Sequence, residues 1–247
     1  MAEMSEWVLR GKKLTGRIPK PRIFKVDIER PPKKVIESFL KIRDLTSTVS
    51  DVLDTMGLTS QVVSCTILKP SLETEIVGPA ITLRNVPTPT TPKTAPSKMA
   101  EYELWNFAEP GDVGVLDGGG FDISNMGGLS ARTAKKQGVA GAVIDGSRRD
   151  VEEQKELEFP IWSRGESPVT GKWRLESVSM NAPIRIVNVP VEPGDLVIAD
   201  STGVCFVPRG IIELVLERTE EIEKSEDEKR KKIQGGVPIS EHASVLH

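Results

Sequence analysis

The sequence predicts a mixed α/β fold, and three observations support this prediction. Between residues 112 and 144, an apolar strand, a glycine turn, a helix and a second apolar strand follow one another. This is the order of a right-handed βαβ unit with parallel strands. β-Branched residues dominate segment 75–86, which is typical of a strand. Apolar residues also recur at helical spacing near both ends of the chain, so helices are expected there as well.

The N-terminal region predicts an arm followed by two helices. Residues 1–30 are basic, contain several prolines and lack periodicity, so they are expected to pack as an arm on another surface. From residue 31, apolar residues recur at helical spacing behind a proline start and predict one helix. A second short helix, capped by Ser47 or Thr48, is expected to stop at Gly57. These two helices would form a helical N-terminal extension.

The middle of the chain contains most of the predicted sheet. A helix is predicted over residues 129–136, between the second and third strands. The proline- and threonine-rich stretch between Val86 and Lys98 predicts an exposed connector, and a mobile lid is the alternative. Strands are predicted over 75–86, 112–116, 139–144, 184–189, 196–199 and 204–207.

The C-terminal region predicts a long charged helix. Its start carries an apolar stripe at helical spacing, whereas thirteen of the sixteen residues in segment 217–232 are charged. This composition is typical of a solvated helix with ion pairs between successive turns, and a partner-binding surface is the alternative. The predicted organisation is therefore a basic arm over 1–30, an α/β domain over 31–208, a charged helix over 209–234 and a flexible tail over 235–247.

Composition excludes several kinds of function. A formal charge of −3 argues against a general nucleic-acid binder, and no apolar stretch is long enough to span a membrane. Cys65 and Cys205 are isolated in apolar runs, which predicts two core residues and neither a disulfide framework nor a metal motif. The histidines, His242 and His247, lie in the C-terminal tail, so a histidine-based triad or zinc site is not expected. The sequence predicts a cytoplasmic protein.

One short pattern occurs twice. Segments 109–117 and 192–200 share the order Glu-Pro-Gly-Asp, followed by alternating apolar residues and a final aspartate. Proline followed by glycine favours a tight turn with a left-handed glycine. The pattern therefore predicts the same turn before two buried strands, and a true duplication would extend further than nine residues.

A glycine-rich loop is the first candidate site. Asp117 is followed by three glycines and Asp122, and segment 125–130 then opens the helix predicted over 129–136. Glycines at a strand-to-helix turn expose backbone N–H groups at the positive end of the helix dipole, which favours an anion. The spacing matches neither a dinucleotide-binding fingerprint nor a P-loop. A merely tight turn is the alternative interpretation.

A second candidate element follows the next strand. The sequence Asp-Gly-Ser-Arg-Arg-Asp at 145–150 places a guanidinium and a carboxylate at the carboxyl end of a strand, where ligands bind in α/β sheets. Arg149 can bind a carboxylate bidentately, and Asp150 can bind Mg²⁺ directly or through water. The alternative is an ion pair that caps the following helix.

An ordered series of motifs resembles the RraA-like family. The motifs are GDVGVLDGGG at 111–120, NMGGLSARTA at 125–134, GVAGAVIDGSRRD at 138–150, FPIWSRG at 159–165, PGDLVIAD at 193–200 and GVCFVP at 203–208, with TSTVSDVLDTMG at 46–57. The family includes metal-dependent 4-hydroxy-4-methyl-2-oxoglutarate aldolases with oxaloacetate decarboxylase side activity, and regulators of ribonuclease E. The resemblance implies a three-layer β/β/α domain that assembles as a homotrimer or a hexamer.

The resemblance also implies roles for particular residues. Arg149 would bind the pyruvoyl group, Asp150 would hold Mg²⁺ or Mn²⁺, and the loop formed by Gly127, Gly128, Leu129 and Ser130 would bind the substrate carboxylate through its amides. The family's aldolases have an acidic residue twenty-one positions before the arginine, where this chain has Gly128. Asp122 is a candidate substitute for that carboxylate, and Asp117 is a further accessory candidate.

The sequence therefore predicts a divalent-metal-dependent carbon–carbon lyase. A cation and a guanidinium would stabilise the pyruvate enolate that both retro-aldol cleavage and decarboxylation of a small 2-oxo acid produce. Two alternatives remain open at this stage. One is a non-enzymatic protein that binds a protein partner through its arm or charged helix. The other is a related metal enzyme with a different anionic substrate.

Overall fold

The computed structural model describes residues 11–88 and 96–242, so most of the predicted connector and the last five residues lie outside the described part. The helices in this part are Lys33–Phe39 (α1), Leu45–Thr55 (α2), Glu101–Phe107 (α3), Gly128–Lys136 (α4), Val151–Glu156 (α5), Ile212–Gln234 (α6) and Ile239–His242 (α7). The strands are Val62–Ser64 (β1), Lys69–Pro70 (β2), Ile76–Pro87 (β3), Val113–Asp117 (β4), Ser124–Met126 (β5), Gly141–Arg148 (β6), Ile161–Glu166 (β7), Leu175–Met180 (β8), Ile184–Ile186 (β9), Val189–Val191 (β10), Leu196–Ala199 (β11) and Gly203–Val207 (β12).

The long strand β3 joins two parts of one sheet. Its first residues pair antiparallel with β11, and its later residues pair parallel with β4. The strand order is β1-β12-β11-β3-β4-β6-β7-β2, and β5 and β8 pair with β6 and β3 outside this path. The β4–α4–β6 unit has parallel strands, which confirms the βαβ prediction.

Alternating side chains of the strands build three apolar cores. Val113 and Val115 of β4 face the core between the two parts of the sheet, whereas Leu116 faces the core beneath α3 and α4. Leu196 and Ile198 of β11 face a third core beneath α1, α2 and α6. This alternation buries both faces of each sheet part. The predicted three-layer β/β/α domain, with N-terminal helices and a charged C-terminal helix, is confirmed.

The described portion of the basic arm packs on the protein's own core. Ile18, Ile23, Val26 and Ile28 are all buried in the cluster beneath α3 and α4. Ile23 also forms a parallel bridge with Met180 at the end of β8. The sequence predicted that the arm packs on another surface, and for the described part of the arm this surface belongs to the same chain.

Both Glu-Pro-Gly-Asp segments form the predicted turn. Gly111 and Gly194 each have a φ of 92°, which a glycine adopts without strain. The carboxylates of Asp112 and Asp195 each accept a hydrogen bond of 2.8 Å from the backbone N–H of the glutamate three residues earlier. Each turn leads directly into a fully buried strand, so the interpretation as one turn used twice is confirmed.

The predicted cap of α2 and the predicted strand over 184–189 are wrong, and each error has a physical reason. Neither Ser47 nor Thr48 caps α2, because the helix begins earlier and its Thr46 N–H donates to the carboxylate of Asp200 at 3.0 Å. Segment 184–189 is not one strand, because Val187 is left-handed, with a φ of 57°, and donates its N–H to the buried carboxylate of Asp145 at 2.7 Å.

Three further findings concern the cysteines, the predicted tail and the membrane. Cys205 is buried as predicted, whereas Cys65 is only half-buried. Residues 239–242 of the predicted flexible tail form the short helix α7. Within the described residues, none of the helices combines the length and the apolarity that a membrane span requires.

Candidate active site

The start of α4 brings the two candidate motifs together. Gly127 is extended and precedes the helix, and the first intrahelical hydrogen bond runs from Ala131 N–H to Gly127 C=O at 3.0 Å. The N–H of Gly128 donates instead to Asp150 Oδ2 at 2.9 Å. The carboxylate that follows β6 therefore lies at the positive end of the α4 dipole.

The end of β6 positions Arg149 and Asp150 beside this loop. The backbone N–H of Arg149 donates to Met126 C=O at 3.0 Å, which ties the strand end to the residue before Gly127. Arg149 Nε lies 3.6 Å from Asp150 Oδ2, and both side chains are partly exposed. Asp150 has a left-handed backbone with a φ of 57° and precedes α5. The predicted guanidinium and carboxylate are therefore adjacent and reachable from solvent.

Gly127 and Gly128 lie in close contact with two side chains that end in carboxylates. A Cβ atom at Gly127 would lie 2.6 Å from Asp150 Oδ2 and 3.1 Å from Arg149 Nε. A Cβ atom at Gly128 would overlap the carboxylate of Glu153. Both glycines therefore make room for carboxylates, since any side chain would displace them.

Glu153 also lies beside the candidate site, although no sequence motif marked it. Its carboxylate, which projects from α5, fills the space that a side chain at position 128 would use. Arg132 holds it with two hydrogen bonds to Oε1, of 3.0 and 2.9 Å. The available signal was the spacing, because Glu153 lies three residues after Asp150 and faces the same side of the first helical turn.

The other predicted loop residues have different environments. Since Gly128 N–H is engaged by Asp150, it is not available to a substrate carboxylate as the sequence predicted. The N–H groups of Leu129 and Ser130 precede the first intrahelical hydrogen bond and point out of the helix start. The Leu129 side chain is 68% exposed, whereas the Ser130 hydroxyl accepts a hydrogen bond of 2.8 Å from Trp105 Nε1.

The accessory aspartates are held by other contacts. Asp117 is buried, accepts a hydrogen bond of 3.0 Å from Gly119 N–H and lies 3.4 Å from Arg84 Nε. Burial raises the pKa of the Asp117 carboxyl. Asp122 is exposed and accepts a hydrogen bond of 2.8 Å from the Ser147 hydroxyl. The side chain closest to the space beside Gly128 is that of Glu153, so Asp122 does not occupy the position suggested for it.

Two residues of α3 lie in the electrostatic field of the site and were also missed. Glu101 is buried, and its Oε2 is one of the two buried side-chain atoms that lack a hydrogen-bond partner within the described residues. Burial raises the pKa of Glu101, and the positive charges of Arg17, Lys172 and Arg149 oppose this effect. Burial also raises the pKa of the neighbouring Tyr102. No sequence motif marked either residue, because their positions depend on the packing of α3 against α4.

The donor set of the site suits a hard divalent cation. Asp150 and Glu153 place two carboxylates from the start of α5 against the glycine backbone at the start of α4. Among the described residues there is no group of three acidic, cysteine or histidine side chains that could enclose a metal. Mg²⁺ is commonly bound by one or two carboxylates and keeps several waters, so this pair fits such an ion.

The fold and the site define a class of α/β proteins in which an arginine–aspartate pair lies beside a glycine-rich helix start. Comparison with known proteins agrees with this class, since residues 46–206 match the RraA-like family, described as Aldolase/RraA. The chain belongs to the RraA-like family.

Similar proteins include named relatives and solved structures. A Halalkalibacterium halodurans protein, named as a candidate 4-hydroxy-4-methyl-2-oxoglutarate aldolase, is 36% identical over 76% of this chain and 83% of its own. A 4-hydroxy-4-methyl-2-oxoglutarate aldolase of Thermus thermophilus is 31% identical over 40% of this chain and 60% of its own. The structure of an unusual member of the RNase ES inhibitor RraA protein family from Streptomyces coelicolor superposes with a TM-score of 0.69 at 27% identity, covering 83% of this chain and 99% of that chain.

Proposed function

We propose that the protein is a divalent-metal-dependent carbon–carbon lyase that cleaves or decarboxylates a small 2-oxo acid through a pyruvate enolate. The observation that carries this proposal is the placement of Arg149 and Asp150 against the N-terminus of α4. A guanidinium, a helix start and a carboxylate pair together favour an anionic substrate and a cation. The names of the relatives support the same reaction class.

Several residues of the chain would bind the substrate and stabilise the enolate. Arg149 binds the substrate carboxylate bidentately, and its charge stabilises the negative oxygen of the enolate. The N–H groups of Leu129 and Ser130 donate to the same anion at the positive end of α4. Gly127 and Gly128 leave room for the carboxylates of Asp150 and Glu153, because a side chain at either position would displace one of them.

Asp150 and Glu153 would hold Mg²⁺ or Mn²⁺, in part through water. When bound, such an ion supplies Lewis-acid polarisation of the 2-oxo group. The hydrogen bond from Gly128 N–H orients the Asp150 carboxylate, and Arg132 orients that of Glu153. Groups that fix the ligands in this way commonly set metal affinity.

We further propose that the protein assembles as a homotrimer or hexamer, as the family resemblance implies. The exposed side chains of Leu129, near the site, and of Phe24, in the arm, are apolar surface that a neighbouring subunit could cover. Light scattering coupled to size-exclusion chromatography measures the mass directly, and a monomer would contradict this part of the proposal.

The function is tested by pyruvate release from oxaloacetate and from 4-hydroxy-4-methyl-2-oxoglutarate. The assay is run with Mg²⁺ and with chelator, and decarboxylation by the metal alone is subtracted. We expect metal-dependent turnover that Arg149→Ala reduces by at least a hundredfold, since the variant loses a charge-assisted contact to the reacting group. Arg43→Ala, at an exposed arginine between α1 and α2, is the matched control and should retain activity.

Each negative result favours a different alternative. Mg²⁺ binding without turnover on either substrate would favour a related enzyme with another anionic substrate. Absence of metal binding would favour the non-enzymatic binding protein. Turnover that survives Arg149→Ala would contradict the assignment of the site.

A further inference from the structure

Helix α3 is attached to the first turn of α4. Trp105 is fully buried, and its Nε1 donates to the Ser130 hydroxyl at 2.8 Å. Its ring also lies against the backbone of β4, because a Cβ atom at Gly114 would be 2.5 Å from it. Tyr102 precedes Trp105 by three residues, so both side chains project from the same side of α3. Tyr102 is therefore on the side of α3 that faces the glycine-rich start of α4.

The surroundings of Tyr102 place its hydroxyl in the field of the candidate site. The charges of Arg149 and Glu153 act on this phenol from the site, while those of Glu101 and Arg17 act on it from α3 and the arm. The guanidinium of Arg17 lies over the aromatic ring, 5.5 Å from its centroid. The ring packs against the core beneath α3 and α4, yet the side chain is only half-buried. Part of the Tyr102 side chain is therefore accessible from solvent.

The arm holds Arg17 in this position. Two residues earlier, Thr15 donates to Glu103 Oε2 from both its backbone N–H, at 2.8 Å, and its hydroxyl, at 2.6 Å. Ile18, the residue after Arg17, is buried in the core. Contacts on both sides of Arg17 thus fix the arm against α3, and a cation over a tyrosine ring is favourable in itself.

The hydroxyl of Tyr102 is a hydrogen-bond donor at neutral pH. Burial raises its pKa above the ordinary value, the negative charge of Glu101 adds to this effect, and Arg17 and Arg149 oppose it. Beside it, Glu101 has a buried oxygen that lacks a partner in the described part of the chain. Buried polar atoms are normally paired, so the described residues leave this oxygen without the hydrogen bond that is usual for a buried carboxyl group.

We propose that Tyr102 is a substrate-binding residue whose hydroxyl donates a hydrogen bond to the 2-oxo acid anion held by Arg149, with Arg17 as the residue that positions its ring. This inference rests on the proposed function, because it assumes that Arg149 binds such an anion. It extends the site to α3 and to the arm, which lies before the residues that match the family.

The test uses oxalate, an analogue of the pyruvate enolate, and the full-length protein. Tyr102 is the only tyrosine in the chain, so 3-fluorotyrosine incorporation gives a single ¹⁹F resonance from this position. We expect this resonance to shift when oxalate is added with Mg²⁺, beyond any shift that Mg²⁺ alone causes. Calorimetry should show that Tyr102→Phe weakens oxalate binding by about tenfold or more, the usual loss for a hydrogen bond to a charged group. Thr55→Val, which removes an exposed hydroxyl from α2, should bind oxalate like the wild type.

The outcomes separate this inference from the proposed function. If oxalate binds and Arg149→Ala weakens it, but Tyr102→Phe binds within twofold of the wild type, Tyr102 is not a binding residue and the lyase proposal stands. A resonance that does not move on oxalate binding overturns the inference even if Tyr102→Phe loses affinity, because the effect would then be indirect. If oxalate does not bind and no pyruvate is released, the proposed function fails and this inference fails with it.

Discussion

At the scale of single residues, the Glu153 carboxylate lies beside Gly128, where residue 128 has no side chain. A side chain at position 128 would occupy the volume that the Glu153 carboxylate now fills. The chain therefore has a carboxylate beside the α4 start even though residue 128 has no side chain. The family resemblance alone suggested that a carboxylate is missing at position 128. In the structure, the carboxylate of Glu153 in α5 lies beside this position.

Replacement of Glu153 by glutamine should weaken metal binding. We expect Glu153→Gln to raise the Kd for Mn²⁺ by about tenfold, because a neutral amide stabilises the cation and its waters less than a carboxylate does. Calorimetry or the electron paramagnetic resonance of free Mn²⁺ measures this change without any assay of activity. Glu152→Gln is the matched control, since the Glu152 side chain is 84% exposed and pairs only with Lys155 among the described salt bridges. Equal affinities for the two variants would contradict the assignment.

A methyl group at position 128 should produce a similar loss. Gly128→Ala forces the Glu153 carboxylate out of its position, while the backbone there is compatible with alanine. The Glu153 carboxylate is at the end of a flexible side chain, and its ion pair with Arg132 is largely exposed. The free energy of unfolding should therefore change by no more than about 1 kcal/mol. The expected pattern is reduced Mn²⁺ affinity with a thermal midpoint lowered by no more than about 4 °C, and unchanged affinity would contradict it.

The motifs marked Arg149 and Asp150 because these residues are contiguous and follow a strand. They did not mark Glu153, Glu101 or Tyr102. Their positions relative to Arg149 and Asp150 depend on packing between helices, and no local sequence pattern encodes that packing. The one available signal was for Glu153, whose charge lies three residues after Asp150 in the first turn of α5.

At the scale of elements, the N-terminus of α2 is capped by a residue distant in sequence, Asp200, which follows β11. The residue before the helix, Asp44, is left-handed and makes no side-chain capping bond. Asp200, which follows β11, accepts hydrogen bonds from the backbone N–H and the hydroxyl of Thr46, at 3.0 and 2.7 Å. Prediction from local sequence chose Ser47 or Thr48 because a capping residue is normally a neighbour in the chain.

Replacement of Asp200 should destabilise the protein in a pH-dependent way. Although burial opposes the effect, hydrogen bonds from Thr46 and Thr202 lower the pKa of Asp200. A carboxyl with a lower pKa in the folded state stabilises the protein above its unfolded pKa of about 3.9 and loses this contribution as the pH falls through the folded value. Asp200→Asn should therefore cost about 1 kcal/mol at pH 7 and progressively less below pH 4. Urea unfolding across pH measures this, and a difference that grows in acid would contradict it.

At the scale of the whole molecule, the pattern of apolar residues predicted the long buried strands of the sheet better than it predicted the short strands. The predicted strands of β4, β6, β11 and β12 are all present, because each is an apolar run with both faces buried. Short strands such as β1, β2 and β5 were not predicted, since two or three residues carry no period. The hairpin formed by β9 and β10 was missed because its turn depends on Asp145, which is distant in sequence.

The ion pair between Arg30 and Asp112 joins the arm to a buried carboxylate of the protein's body. Arg30 donates to both oxygens of Asp112 at 2.9 Å, and the Asp112 side chain is fully buried. Arg30→Met should lower the free energy of unfolding by about 3 kcal/mol, because a buried carboxylate loses its guanidinium. Arg22→Met is the control, since the pair of Arg22 with Glu176 is more exposed and should cost about 1 kcal/mol or less. Urea unfolding of both variants checks the order, and equal losses would contradict it.

The docking of the arm on β8 has a consequence for biosynthesis. Phe24 N–H donates to Met180 C=O at 2.9 Å, and Asn181 Nδ2 donates to the carbonyl of Lys25, 156 residues away in the chain. On the ribosome, the arm is made long before its partner, so its apolar residues stay exposed until β8 has been translated. Contacts between such distant residues close a large loop and form late. The arm is thus synthesised well before β8 but reaches its native place only after β8 is available, and chaperones would have prolonged access to it.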